Sequence, residues 1–123
     1  MNFRTVASAA SIVTLLFGLS FIVAPLTTLA IYGNQSADPV LAVMARYFGA
    51  ALAGFAALTW GLRGVENQDA QSTTAKLVAA TTLVGAGVSL HAVLAGTLNA
   101  MAWSSVAIYV VFTALWARIG FTR

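Results

Sequence analysis

The stretch that decides the fold is Pro39–Arg63, PVLAVMARYFGAALAGFAALTWGLR: twenty-five residues with one charge, Arg46, between its ends. At 1.5 Å per residue it is long enough to cross a hydrocarbon core of about 30 Å. Asp38 followed by Pro39 spells a helix start, a side-chain oxygen at the N-cap and a proline at the first helical position. A span here reads as residues 39–63.

Working outward, the same composition recurs three more times. An apolar run fills residues 5–32, ahead of a short loop at Gly33–Asp38. A longer polar stretch, 64–75, carries Glu66, Asn67, Gln68 and Asp69. Two further spans read as 76–98 and 101–118, joined tightly at Asn99-Ala100. Of the 123 residues, 60% are hydrophobic and 7% are charged, against roughly 25% charged in an ordinary soluble domain. The expectation is a single all-α domain over residues 1–123, an integral membrane four-helix bundle. Arg4 and the apolar run after it, with Thr28-Leu29-Ala30 beyond, have some look of a signal peptide. The run is too long for the apolar part of such a peptide and reads as a retained span. Pro25 lies inside that span and cannot donate to the Phe21 carbonyl, so a kink with a free acceptor is expected there.

Charge sets the orientation. Arg4, Arg63, Lys76, Arg118 and Arg123 fall on one side of the four spans, and the opposite loops hold no Lys or Arg. The positive-inside rule puts both termini and the 64–75 loop in the cytoplasm. Trp60 and Trp116 would mark that interface, Tyr32 and Trp103 the outer one. The net charge of +3 is scattered and forms no basic stripe, so nucleic acid is not an expected partner. With no cysteine, thiol chemistry and disulfides are excluded. A loose internal repeat of two hairpins is suggested by Phe55–Gly64 (FAALTWGLRG) beside Val111–Gly120 (VFTALWARIG).

Helical periodicity gathers Ala42, Gly49, Ala50, Ala53, Ala57 and Gly61 on one narrow stripe of the second span, with Arg46 along it. Gly85, Ser89 and Gly96 make a small face on the third. Gly49, Ala53, Ala57, Gly85, Ser89 and Gly96 are therefore the expected helix-packing positions. Arg46, His91 and Tyr109 each lie about two turns in from the outer surface. A charge at that depth is costly and asks for a partner or a purpose. One reading makes the three residues a polar pocket in the outer half that takes an anionic lipid or quinone-like molecule. Another makes them a hydrogen-bond network fixing helix register, and in a third Arg46 snorkels to lipid phosphates. A lone His makes no metal site, and no metal or cofactor is expected.

Catalytic patterns are missing. The carboxylates Asp38, Glu66 and Asp69 all lie in loops, which removes the in-membrane carboxylate of small multidrug antiporters. Quinone-linked disulfide enzymes need cysteines, and the Glu/Asn/Arg cluster of membrane glutathione transferases is represented by Arg46 alone. No Ser–His–Asp set, phosphate-cradling loop or carboxylate pair is present. The run Ala45-Arg46-Tyr47-Phe48-Gly49-Ala50-Ala51, after Phe17-Gly18 and Ala24-Pro25, resembles small four-span bacterial membrane proteins of uncharacterised function. That resemblance implies a bacterial inner-membrane location and no particular activity. Three functions are carried forward: an accessory or assembly subunit of a larger membrane complex, with a membrane-protein partner or a second copy; a lipid-binding carrier built on Arg46; and a small isomerase-like enzyme using His91 or Tyr109.

Overall fold

The computed structural model describes residues 1–122; Arg123, counted above among the basic-side residues, lies outside them. The described residues form five helices and no strand: α1 (Phe3–Val23), α2 (Pro25–Ile31), α3 (Pro39–Leu62), α4 (Gln68–Leu94) and α5 (Ala102–Phe121). All but α2 are long and apolar enough to cross a membrane, the architecture of a multi-pass membrane protein.

Each boundary has a local cause. Asn2 caps α1 by accepting from the Thr5 amide at 2.9 Å, and Asp38 caps α3 by accepting from the Val40 amide at 2.9 Å. The expected kink at Pro25 is instead a break. Ala24 leaves the helix at φ −135°, ψ 66°, because the residue before a proline is pushed out of the α region. The span read as 5–32 is thus two helices. The loop read as 64–75 is also shorter. Asn67 caps α4 by accepting from the Ala70 amide at 3.0 Å, so the helix starts at Gln68. Hydropathy marks where the apolar part begins, while the cap marks where the helix begins. At the far end α4 stops at Leu94, and residues 95–98, read as part of the span, form a turn through Gly96 at φ +75°.

The helices pair as two hairpins, α1 and α2 with α3, and α4 with α5, which also meet along α1 and α5. In the first hairpin the buried α3 residues are Ala42, Ala45, Gly49, Ala56 and Thr59. Their gaps of three, four and seven trace the seam of a left-handed helix pair. Closest approach falls at Gly18 and Gly49. A Cβ on Gly49 would lie 2.6 Å from the Gly18 carbonyl oxygen, and one on Gly18 would lie 2.9 Å from that of Gly49. In the second hairpin Ser72, Ala75, Ala79, Thr82 and Ala86 continue the same spacing on α4. The Ser72 hydroxyl donates to the Gly120 carbonyl at 2.9 Å, and that of Thr113 to the Thr82 hydroxyl at 2.9 Å.

The hairpins are joined near both ends. At the end carrying Arg4, Arg63, Lys76 and Arg118, the side chains of Phe3, Val6, Ala7 and Ala10 cluster with Ala75, Val78, Ala79 and Trp116. Trp116 is fully buried, with the Phe3 ring edge-on at 5.7 Å. At the other end Asn99 donates from its amide side chain to the Ile31 carbonyl and from its backbone to that of Tyr32, both at 3.0 Å. The Tyr32 and Ser105 hydroxyls are hydrogen-bonded at 3.2 Å.

Candidate functional site

The three residues expected to share a pocket come from both hairpins. Arg46 belongs to the first hairpin, and His91 and Tyr109 to the second. Arg46 and His91 are exposed; Tyr109 is partly buried, its ring lying over Gly85, where a Cβ would collide with it.

Arg46 was expected on the inward stripe, and its exposure follows from the seam that α1 takes. That seam runs about a quarter turn round α3 from the mean direction of the stripe at 100° per residue. Ala50, Ala57 and Gly61 are therefore exposed. Arg46 reaches back across α1, and its Nε–H donates to the Ile22 carbonyl at 3.3 Å. The Pro25 break creates this acceptor by ending α1 and leaving its last carbonyls without amide partners. The structure thus pairs the charge with Ile22, one residue past the Phe21 carbonyl anticipated from sequence. A cation beside the negative end of α1 is also favoured by the helix dipole. The same break is stitched by Thr28, whose hydroxyl lies 2.9 Å from the Ser20 carbonyl and 2.7 Å from that of Ala24.

Of the expected packing positions, Gly49 meets α1 and Gly85 meets Tyr109, while Ala53 and Ser89 are half-buried. Ala57 is exposed. Gly96 is no packing residue: nothing lies within 4 Å of a Cβ built there, and its positive φ serves the turn after α4. Asn99 and Tyr32, read from sequence as a tight connection and an outer-interface aromatic, also tie the hairpins together, a role not expected of them. Their signal was weak, an amide in a two-residue connection and an aromatic just past an apolar run.

Two open hollows lie along the first hairpin. One, of about 320 Å³, lies beside α2 and is lined by Leu26, Thr27, Ala30 and residues 34–37. The other is an apolar groove of about 330 Å³ between α1 and α3, lined by Ser11, Ile12, Leu15, Ala53, Ala56, Ala57 and Trp60. Neither is lined by Arg46, His91 or Tyr109. Among the described residues no three His, Asp or Glu side chains converge as metal ligands would.

A second seam stands out on α3. Val43, Tyr47, Ala50, Gly54, Ala57 and Gly61 repeat the three-and-four spacing on a face that α1 does not cover. All six are exposed, and a Cβ on Gly54 or Gly61 would meet nothing within 4 Å. No family model, curated protein or solved structure matches the chain.

Proposed function

We propose that the chain is a helix-contributing accessory subunit of a larger membrane protein assembly. It would sit in a bacterial inner membrane with both termini on the cytoplasmic side. The observation that carries the reading is the uncovered seam on α3. Small residues at heptad spacing let two backbones approach closely in lipid, where packing is what drives helices together. The covered seam on the same helix is the internal precedent: there the same spacing, with glycines at Gly18 and Gly49, receives α1. Burial is low throughout. Only 11% of the most apolar window of α5 and 17% of that of α3 are buried. The accessible surface of 7219 Å² exceeds the about 6,200 Å² usual for a compact protein of this mass.

The polar-pocket alternative has less to stand on, because neither hollow is lined by Arg46, His91 or Tyr109. The test of the subunit reading is native mass spectrometry after gentle extraction, paired with a single-cysteine probe, Gly54→Cys, in this cysteine-free chain. The expected result is a mass well above multiples of 12.7 kDa, with a cross-link from Gly54→Cys to a different chain. Masses at integer multiples alone, with cross-links only between copies, would replace the subunit by a homo-oligomer. A solitary chain with no cross-link would end the reading.

A further inference from the structure

The α1–α3 groove adjoins the uncovered seam along Ala57, and it has a distinct chemistry at its mouth. Its wall is almost wholly apolar, with Ile12 and Leu15 from α1 opposite Ala53, Ala56 and Ala57 from α3. Trp60 closes the end nearer the loop that follows α3. On the Trp60 ring lies the Arg63 guanidinium, its central carbon 3.8 Å from the ring centroid, and Nη1 donates to the Trp60 carbonyl at 2.6 Å. The cation is therefore held at the rim of the groove.

A second cation lies at the same level. Gly18 opposes Gly49 and Ala53, and the two helices run antiparallel, so fourteen residues back along α1 brings Arg4 level with the C-terminal end of α3, where Arg63 lies. At 100° per residue Arg4 also shares a face with Ser11 and Leu15, two wall residues. Arg4 is exposed. An apolar slot in the membrane region, opening at its polar end between two arginines, matches an acyl chain continuous with an anionic headgroup. Arginine suits the phosphate because its planar fork of donors matches phosphate oxygens.

We propose that this groove binds one anionic phospholipid, with an acyl chain along Ile12, Leu15, Ala53 and Trp60 and the phosphate between Arg4 and Arg63. The site adjoins the seam of the helix-partner reading along Ala57 but does not rest on that reading. It also differs from the polar pocket anticipated around Arg46, being at the basic end of the hairpins and walled by apolar side chains.

The test uses the full-length protein in nanodiscs of phosphatidylcholine containing phosphatidylglycerol, with retained lipids counted by native mass spectrometry after release into detergent. The wild type is expected to keep one phosphatidylglycerol per chain in preference to phosphatidylcholine. Each basic residue near an anionic surface is worth a factor of about five, so Arg4→Gln with Arg63→Gln should lower that preference about 25-fold. Because those changes can disturb insertion, Leu15→Trp is the second variant. It keeps both charges, fills the groove, and should abolish retention of the lipid. Retention unchanged in Leu15→Trp would overturn the proposal, as would a wild type that keeps no lipid or keeps both lipids equally. A Leu15→Cys chain that cross-links to another protein in the native membrane would overturn it too, by showing that a helix and not a lipid covers the groove.

Discussion

Gly49→Ala and Gly54→Ala make the same chemical change on one helix, five residues apart, and should have opposite effects. At Gly49 the added methyl would sit 2.6 Å from the Gly18 carbonyl oxygen, 2.9 Å from the Ile22 side chain and 3.0 Å from Phe21 Cβ. Ordinary carbon–oxygen contacts close at about 3.3 Å, so α1 and α3 must part by about 0.7 Å. The nearest obstacle is backbone and cannot swing aside. A gap of that size forfeits a quarter to a half of each contact's attraction nearby. Overpacking of this kind costs about 1–3 kcal/mol, and the rigid obstacle puts Gly49 near the top of that range. Replacing a mid-helix glycine returns about 1 kcal/mol, leaving Gly49→Ala about 2 kcal/mol less stable. Gly54→Ala meets nothing and keeps only the favourable part. The two variants should therefore differ by about 3 kcal/mol. The assay is unfolding of the purified monomer in mild detergent by added SDS, followed through tryptophan emission. Unfolding of both variants at the same SDS fraction would refute the packing argument.

Two further substitutions probe the joints of the fold. Arg46→Leu leaves the Ile22 carbonyl without its charged donor and should cost about 1–2 kcal/mol. The loosening should be confined to residues 20–28 as faster hydrogen exchange, and unchanged exchange there would count against the capping role. Trp116→Ala should cost about 3–5 kcal/mol as a large buried ring is lost. Trp116→Phe should cost less than half of that: the indole nitrogen has no hydrogen-bond partner to lose, and an aromatic ring stays against Phe3. Equal damage from both changes, read by the same SDS titration, would mean that the N–H matters.

What the sequence made legible was decided by length and composition: four apolar spans, their order, and basic residues gathered at one end. Azimuth was less accessible, and α3 shows why. In a helix so rich in Ala and Gly, two complete seams of small residues exist side by side, one through Ala42, Ala45 and Gly49, the other through Ala50, Gly54, Ala57 and Gly61. Size alone does not say which one takes α1. The choice is made by Gly18 on α1, whose bare backbone fits against Gly49, and that pairing is invisible from α3 alone. The same holds for Arg46, His91 and Tyr109: depth groups them but says nothing of azimuth, and Arg46 and His91 are exposed while Tyr109 is partly buried. Pro25 marks a disturbance in the sequence, but its depth is set by Ala24, which the proline ring drives out of the helical region and so turns a kink into a break.

The shortness of the connections narrows where function can reside. The segments between helices have no room for a binding domain, so among the described residues the helix faces are the surfaces on offer. On α3 two such faces adjoin, and their chemistries differ. The groove shared with α1 is apolar and ends in Trp60 and Arg63, with Arg4 at the same level, features that suit a lipid. The seam through Gly54 and Gly61 is bare and carries no charge, which suits another helix. Ala57 lines both, so an acyl chain in the groove would form one edge of whatever packs on the seam. A partner helix docked there should then be sensitive to Leu15→Trp, which touches the groove alone, and the Gly54→Cys cross-link measured in that background is the direct readout. Loss of the cross-link would couple lipid and partner. A cross-link of undiminished yield would make the two faces independent, and the separate tests of each would stand on their own.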